Sequence, residues 1–185
     1  MRVIAGTKKG VRLSVVKVPW IRPTSDSVKE LIFNVLGDEV ESSLVLDLFA
    51  GTGSLGIEAL SRGAAKAIFI EKTREAQRLI ENNLRKTRLT NKAEVLKTST
   101  EMACKKLSKQ EIVFDLIFAD PPYGRRLASQ TLTLVAQFHL LAAQGRLVIE
   151  HSFREVLSES VEDLTLGFQK RQGESTVSFY RHVQK

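Results

Sequence analysis

Residues 113–123 read Val113-Phe114-Asp115-Leu116-Ile117-Phe118-Ala119-Asp120-Pro121-Pro122-Tyr123. The first seven are almost continuously apolar, which predicts a buried strand of a parallel sheet. Two consecutive prolines end that strand, because neither has an N–H group to donate to a sheet ladder. Open α/β sheets place their ligands at the carboxyl ends of such strands. We therefore predict an α/β fold whose chemistry lies at Asp120 to Tyr123.

These last four residues suit a planar group that carries an amine. The Asp120 carboxylate and the rigidly held Pro121 carbonyl can each accept a hydrogen bond from the amine. Tyr123 offers an aromatic face on which the plane can stack. The alternative interpretation is that Tyr123 only packs beside the proline turn.

Strands and helices alternate along the rest of the chain. Ser27 and Glu30 have the spacing of a capping box, which predicts a helix that ends at Gly37. The apolar side chains that this helix is expected to bury are Val28, Leu31, Ile32, Val35 and Leu36. Strands are predicted over 44–49, 67–71, 93–97, 113–119, 145–150, 163–168 and 175–181, and later helices over 54–61, 74–88, 100–109 and 127–141. This pattern predicts a seven-stranded, mostly parallel sheet with helices on both faces, in a single domain of residues 1–185.

Composition excludes several classes of protein. With 185 residues and 43% hydrophobic residues, the chain can bury a full core, yet no apolar run approaches the roughly 18 residues of a membrane span. The single Cys104 excludes an internal disulfide and is expected to be a packed thiol. Three scattered histidines show no metal-ligand spacing. We expect a cytoplasmic monomer that uses no metal.

The net charge of +7 is concentrated at one end of the chain. Residues 1–22 carry six basic side chains and no acidic one, whereas residues 23–185 carry 22 basic and 21 acidic groups. Apolar residues alternate with the basic ones, which predicts a β-hairpin around Lys9-Gly10. We call residues 1–22 the arm and residues 23–185 the catalytic core. The arm is expected to contact the phosphates of a nucleic acid, and a merely solvated basic surface is the alternative.

A glycine loop follows the first predicted strand, in Asp47 to Gly56. Gly51 and Gly53 allow a sharp turn and a close approach of ligand to backbone. Glu71 ends the next strand, where its carboxylate can accept both hydroxyls of a ribose. A dinucleotide would also fit this pattern. Asp47, however, would repel a pyrophosphate and attract an ammonium group, which favours S-adenosylmethionine.

With the tetrapeptide at 120–123, the glycine loop resembles the class I S-adenosylmethionine-dependent methyltransferases that modify amines. Further segments are similar to the bacterial RsmD-type family, and the similarity runs almost from the first residue to the last. They include Met1 to Gly6, Arg22 to Asp26, Leu60 to Ala64 and Gly173 to Arg181. That family methylates the exocyclic N2 of a guanine in small-subunit (16S) ribosomal RNA.

The resemblance implies roles for particular residues. Catalysis would use Asp120, Pro121 and Tyr123, on 16S rRNA or the small ribosomal subunit. The cofactor would be held by Asp47, Phe49, Gly51, Gly53, Glu71, Lys72, Ser99 and Thr24, where Ser99 replaces the acidic residue that the family usually has near adenine. RNA would be contacted by Arg2, Lys8, Lys9, Arg12 and Arg22. Arg22 and Thr24 have an alternative role as a simple lead-in to the first helix.

Three other functions fit parts of the sequence. A DNA adenine-N6 or cytosine-N4 methyltransferase uses the same amine chemistry, but no residues remain for a separate target-recognition domain. An NAD-dependent oxidoreductase explains the glycine loop and gives residues 120–123 no role. A non-catalytic ribosome-assembly factor would have no need of an intact tetrapeptide and glycine loop.

Overall fold

A computed structural model of the protein describes residues 1–15, 25–124 and 126–183. Within these ranges the strands are β1 (Leu44–Asp47), β2 (Lys66–Glu71), β3 (Ala93–Lys97), β4 (Phe114–Ala119), β5 (Leu141–Ser152), β6 (Ser160–Val161), β7 (Leu164–Gln172) and β8 (Ser175–His182). The α-helices are α1 (Asp26–Leu36), α2 (Ser54–Ser61), α3 (Arg74–Thr87), α4 (Thr100–Lys109) and α5 (Leu127–Gln137). Arg22 and Thr24 lie outside the described residues.

All eight strands join one sheet, in the order β3-β2-β1-β4-β5-β8-β7-β6. Strands β1 to β5 are parallel to their neighbours, and β8, β7 and β6 add an antiparallel edge. The mostly parallel α/β sheet is confirmed. The predicted number of strands, seven, is one too few, because the two-residue strand β6 is too short to show a periodic pattern. Strand order reverses between β1 and β4, which is where such sheets bind their ligands.

Helices cover both faces of the sheet, as predicted. On one face, α1, α2 and α3 bury apolar side chains such as Phe33, Ile57 and Ile80 against Phe118 and its neighbours. On the other face, α4 and α5 bury theirs against the opposite side of β1, β4 and β5. Cys104 belongs to that second core as a buried free thiol, and burial raises its pKa to about 12.

Local predictions were wrong in two helices. The N-cap of α1 is Ser25 and not Ser27, because the Ser25 hydroxyl accepts the hydrogen bond of the Val28 N–H at 3.2 Å. The predicted buried face was also wrong at one position, because Phe33 packs on Phe118 and is buried, whereas Val35 is 41% exposed. The helix predicted over 127–141 ends at Gln137, because the residues from Leu141 onward already belong to β5. A register shift between β4 and β5 allows this early start.

The described part of the arm is a short hairpin docked on the core. Its two halves run antiparallel, with an isolated bridge between Arg2 and Arg12. Backbone hydrogen bonds join them from Val3 N to Val11 O at 3.0 Å, from Gly10 N to Val3 O at 2.9 Å and from Leu13 N to Met1 O at 3.4 Å. A short 3-10 helix, Gly6–Lys8, lies between the two halves. The predicted hairpin is therefore present within residues 1–15 in a short form, and side chains of the core supplement its pairing.

Polar side chains of α1, α2 and α3 hold the arm in place. The fully buried Glu58 accepts hydrogen bonds from Ile4 N at 2.8 Å and Ala5 N at 2.9 Å. At the other end of the described arm, the buried Asn83 accepts from Ser14 N at 2.8 Å and donates to its carbonyl at 3.0 Å. Glu58 and Asn83 therefore bond arm backbone groups that, within residues 1–15, have no hydrogen-bond partner on the other half of the arm.

The buried Lys29 of α1 adds a third fixing point. Its ammonium group donates to the Arg2 carbonyl at 2.5 Å and lies 3.5 Å from the Asp26 carboxylate. Burial lowers the pKa of Lys29, and the carboxylates of Glu58 and Asp26 oppose part of that shift. Among the described helices, none is both long and apolar enough to cross a membrane.

Candidate active site

A cleft of about 820 Å³ opens at the carboxyl edge of the sheet. It lies over the switch point between β1 and β4, and several connecting loops supply its walls. The lining includes residues 47–52 after β1, residues 71–73 after β2, residues 98–101 after β3 and residues 120–123 after β4. The cleft thus collects the predicted cofactor loop and the predicted amine-binding tetrapeptide in one cavity.

The glycine loop has the backbone shape that the sequence predicts. Gly51 and Gly53 both have positive φ, at 53° and 78°, and Gly53 is the N-cap of α2. A Cβ on Gly51 would meet no atom nearer than the Phe49 carbonyl oxygen at 3.9 Å. The space beside Gly51 is therefore open for a ligand. Phe49 lines the cleft next to this turn.

Asp47 lies at the floor of the cleft and is only 2% exposed. Its carboxylate accepts the backbone N–H of Gly56 at 3.2 Å. Burial raises the pKa of Asp47 to about 7, and the nearby Glu71 contributes in the same direction. A cation bound in the cleft would lower the pKa of Asp47 again, because a nearby positive charge favours the charged form of a buried carboxyl group.

Glu71 reaches from the end of β2 towards the glycine loop. One carboxylate oxygen accepts Gly51 N at 3.2 Å, and the other accepts Thr73 N at 2.9 Å. These bonds hold a carboxylate at the cleft wall with lone pairs still able to accept hydrogen bonds. Lys72, between Glu71 and Thr73, also lines the cleft.

Ser99 lines the cleft but already has a structural task. Its hydroxyl accepts Met102 N at 3.3 Å and so caps α4. A ligand contact would have to share this oxygen. Glu101, two residues further on, lines the same wall and was missed by the sequence analysis. The signal was available, since the first turn of a helix after β3 faces the carboxyl edge.

Residues 120–123 follow β4 and form the opposite wall. Pro121 is buried, Asp120 is half-buried, and Tyr123 is 41% exposed. The Tyr123 hydroxyl lies 2.5 Å from Ser175 Oγ in β8, and Ser175 donates to Glu150 Oε1 at 2.8 Å. Glu150 is 6% exposed and lines the cleft.

Sequence analysis missed Ser175 and Glu150 as members of the site. Glu150 ends a predicted strand next to β4, so the rule that located Asp120 applied to it equally. Ser175 belongs to the tail segment that carries the family resemblance. No local pattern shows that the tail returns to the cleft, because that contact depends on the insertion of β8 beside β5.

The basic residues of the arm lie near the cleft but do not line it. Lys9 and Arg12 are exposed, Lys8 is half-buried, and the Arg2 side chain is 68% exposed beside Asp26 at 3.8 Å. The arm nevertheless touches the glycine loop, because the Thr52 hydroxyl donates to the Met1 sulfur at 3.3 Å. Asn83 of α3 adds an indirect link, since it donates to the Thr52 carbonyl at 2.9 Å and also holds Ser14 of the arm.

Metal-ligating side chains are dispersed in the parts of the chain that the structure describes. No group of three or more His, Cys, Asp or Glu residues there has the geometry to hold a metal ion.

The sheet order, the glycine loop after β1 and the Asp-Pro-Pro-Tyr segment after β4 define the class I methyltransferase fold. A crystal structure of an RNA methyltransferase from Salinibacter ruber with S-adenosyl-L-homocysteine shares this fold, with a TM-score of 0.68 at 13% identity, covering 89% of this chain and 95% of the other. The model of the family described as "Conserved hypothetical protein 95" matches residues 1–181. The chain belongs to that family, which is the RsmD-type family that its sequence resembles.

Individual relatives are similar over their whole length. YlbH of Bacillus subtilis (strain 168) is 40% identical over 181 residues, which cover 98% of each chain. "Ribosomal RNA small subunit methyltransferase D" of Escherichia coli (strain K12) is 32% identical over 181 residues, covering 98% of this chain and 89% of the relative. The solved structure of yhhF from Escherichia coli has a TM-score of 0.87 at 30% identity, covering 100% and 99% of the two chains.

Proposed function

We propose that this protein transfers a methyl group from S-adenosylmethionine to the exocyclic N2 amine of a guanine in 16S rRNA. The observation that carries this proposal is that the glycine loop and residues 120–123 line one and the same cleft. The substrate follows from the family and from relatives that are named as small-subunit rRNA methyltransferases. An enzyme of ribosomal RNA acts where ribosomes are made, in the cytoplasm, and we expect it to act as a single-domain monomer.

The residues of the cleft fit S-adenosylmethionine. The open space at Gly51 accommodates the ligand against the backbone, and Glu71 offers its carboxylate to the ribose hydroxyls. Asp47 balances the amino-acid ammonium, directly or through water. Phe49, Lys72 and Ser99 complete the wall. Gly53 does not line the cleft but shapes the turn of the glycine loop, and Thr24 is proposed as a further contact from outside the described residues. The cofactor supplies a methyl group on a positively charged sulfur.

Residues 120–123 prepare the acceptor amine. The lone pair of a nucleobase amine is delocalised into the ring, so the nitrogen is a poor nucleophile. The Asp120 carboxylate and the Pro121 carbonyl each accept one amine hydrogen, which favours a pyramidal nitrogen with a localised lone pair. As the N–C bond forms, positive charge develops on nitrogen, and both acceptors stabilise it. Asp120 then takes up the proton that the amine loses.

Tyr123 fixes the plane of the base. Its ring is exposed on the cleft wall, where a base that has left its stack can lie against it. Stacking of this kind contributes about 1–3 kcal/mol per base. Holding the amine in line with the methyl group supplies much of the remaining acceleration.

The arm is proposed to bind the RNA around the target. Arg2, Lys8, Lys9 and Arg12 lie on an element that is fixed to the rim of the glycine loop, and Arg22 belongs to the same arm. Their charges neutralise phosphates without reading sequence. Shape recognition of a structured RNA demands less protein than a sequence-specific DNA enzyme needs.

Purified protein with labelled S-adenosylmethionine tests the proposal on deproteinised 16S rRNA, small subunits and duplex DNA. We expect transfer to an RNA substrate, and mass spectrometry of the digested RNA should show N2-methylguanosine. Methyl transfer to DNA alone, or a methylated nucleoside other than N2-methylguanosine, would contradict the proposed substrate. Binding of NAD in preference to S-adenosylhomocysteine in calorimetry contradicts the cofactor.

A further inference from the structure

Tyr123 does not stand alone on the cleft wall. Its hydroxyl lies 2.5 Å from Ser175 Oγ, and the Ser175 hydroxyl donates to Glu150 Oε1 at 2.8 Å. Because the Ser175 proton is directed to the carboxylate, the Ser175 oxygen is left to accept the proton of Tyr123. The three groups thus form a chain with a defined direction, from phenol to hydroxyl to carboxylate.

The inner end of this chain is rigid. Ser175 is 4% exposed and Glu150 is 6% exposed, and they lie on the adjacent strands β8 and β5. Tyr123, in contrast, lies on a loop that also contains Gly124 at a φ of 89°, and its ring is 41% exposed. A loop residue that must present a flat surface gains orientation from a bond to a buried strand.

We propose that Ser175 and Glu150 are positioning residues for the methyl transfer, which fix the Tyr123 ring as the wall against which the target base stacks. This rests on the proposed function, because it assigns the ring its task. The ring is held at two ends: the backbone of the proline turn sets its root, and Ser175 sets its tip. Glu150 does not contact the ring through this chain of bonds; it orients the Ser175 hydroxyl, which in turn orients Tyr123.

A double-mutant cycle on the full chain tests the proposal. Tyr123→Phe and Ser175→Ala each remove one side of the same hydrogen bond, so each should lower kcat on 16S rRNA by about fivefold, with the affinity for S-adenosylhomocysteine unchanged. Because they break one bond, the double variant should be no slower than either single variant. Multiplied effects in the double variant would overturn the proposal.

Ser178→Ala is the matched control. Ser178 is equally buried in β8, but its hydroxyl contacts His151 at 2.8 Å and Gln169 at 2.8 Å on the other face of the strand. Its removal should leave the effect of Tyr123→Phe undiminished. If Tyr123→Phe had no further effect in the Ser178→Ala background either, damage to β8, and not the bond to Tyr123, would explain the result.

A measurement that does not depend on methyl transfer distinguishes the positioning role of Ser175 from the proposed function. The chain contains two tyrosines, so ring-labelled tyrosine gives two sets of NMR signals, which Tyr123→Phe assigns. Ser175→Ala should shift and broaden the Tyr123 signals and leave Tyr180 unchanged. Unaltered Tyr123 signals would overturn the positioning role, whereas an inactive wild-type protein with altered signals would overturn only the methyl transfer.

A second inference comes from the outer surface of the same hairpin. The guanidinium group of Arg171 lies 4.0 Å from the centre of the Phe153 ring, and that of Arg154 lies 5.3 Å from it. Arg171 Nε also donates to the Gly173 carbonyl at 2.9 Å. Two exposed cations are therefore held against one ring. Arg171 of β7 pairs with Thr176, the neighbour of Ser175 in β8, and Arg154 lies two residues after Ser152, which pairs with Ser175.

We infer that Arg154 and Arg171 bind backbone phosphates of the RNA, at a surface separate from the arm. Like charges at one ring repel each other, and an anion between them relieves that cost. Two acidic residues lie nearby. The Glu155 carboxylate is engaged by Ser129 N and Oγ at 3.2 Å, whereas Glu174 is exposed in the turn and opposes an anion.

Binding of 16S rRNA at several salt concentrations tests this surface. Arg154→Gln with Arg171→Gln should weaken binding about tenfold and lower the salt slope by about 1–2, whereas Glu174→Gln should strengthen binding. Lys105→Gln with Lys109→Gln removes two exposed charges from α4 and should leave the slope nearly unchanged. An equal loss in that control, or no effect of Glu174→Gln, would overturn the inference. Wild-type protein that binds no RNA would overturn the proposed function instead.

Discussion

Tyr123 and Glu71 both line the cleft and are proposed to serve different ligands. Tyr123→Ala removes the stacking wall, so kcat should fall by about 10- to 100-fold while S-adenosylhomocysteine binds as before. Glu71→Ala removes the ribose acceptor, so cofactor affinity should fall most. Steady-state kinetics and calorimetry measure the two effects. Phe168→Ala, at an aromatic ring that is 42% exposed, is the control. A parallel loss of both quantities in both variants would contradict the division of roles.

Asp47 makes the stability of the cofactor-free protein depend on pH. Its pKa is raised to about 7 in the folded state, against about 4 in an unfolded chain. The folded form therefore binds more protons between these values, and the stability that Asp47 contributes is complete below about pH 4 and lost as the pH rises through 7.

Asp47→Asn should therefore stabilise the cofactor-free protein above neutral pH, by at most roughly 4 kcal/mol, and flatten the decline of its stability with pH. The same variant should bind S-adenosylhomocysteine more weakly, because the ammonium loses its counter-charge. Denaturant unfolding at several pH values measures the first effect, with the exposed Asp38→Asn as control. Destabilisation of Asp47→Asn at about pH 8 would contradict the account.

Sequence alone could predict those site residues that lie at the carboxyl end of a strand. Asp47, Glu71 and Asp120 each end or follow a strand, so the rule for parallel sheets brings them to one edge. It could not predict what else those side chains do. The capping bond of Ser99 and the bond between Tyr123 and Ser175 depend on side-chain directions and on distant pairing.

The arm is an element whose fold is enforced by its contacts with the core. Gly6 has a φ of 78°, and a Cβ there would lie 1.9 Å from the Ser61 carbonyl oxygen. Gly10 has a φ of 87°, and a Cβ there meets nothing within 4 Å. Replacing either glycine by alanine would therefore strain the backbone, because both have a positive φ. Only the Cβ at position 6 would also clash with the Ser61 carbonyl group.

Gly6→Ala should release the arm from α2, whereas Gly10→Ala should cost only the strain of positive φ, about 1 kcal/mol. The Gly6 variant should lose clearly more stability in denaturant unfolding and become sensitive to proteolysis near residue 6. It should also bind RNA more weakly. Equal losses in the two variants would mean that the contact with Ser61 does not anchor the arm.

At the scale of elements, the sequence predicted the order of strands and helices correctly but not how the arm is held. Near-continuous apolar runs explain the success for β1, β2 and β4, because these strands are buried on both faces. In the arm, the alternation of basic and apolar residues predicted the hairpin. Buried polar groups of the core, Glu58 and Asn83, also bond the arm backbone, and no pattern local to residues 1–15 shows this.

For the whole molecule, the uneven charge predicts how RNA binding responds to salt. Lys8, Lys9 and Arg12 replaced together by Ala should weaken RNA affinity and lower the salt slope by about 2. Replacement of Lys105, Lys106 and Lys109 in α4 removes the same charge from the other face of the sheet. We expect a small effect there. Equal slopes for the arm variant and wild type would remove the RNA-binding role of the arm.

Strand β8 has a consequence for the timing of activity. Among the strands in the described ranges it is synthesised last, yet it inserts between β5 and β7 and brings Ser175 to Tyr123. A ribosome making this protein must therefore deliver the chain through β8 before Ser175 can hold Tyr123. A chain that stops before Ser175 would still contain the glycine loop and Glu71. It would lack the hydroxyl group that orients the Tyr123 ring for stacking on a base.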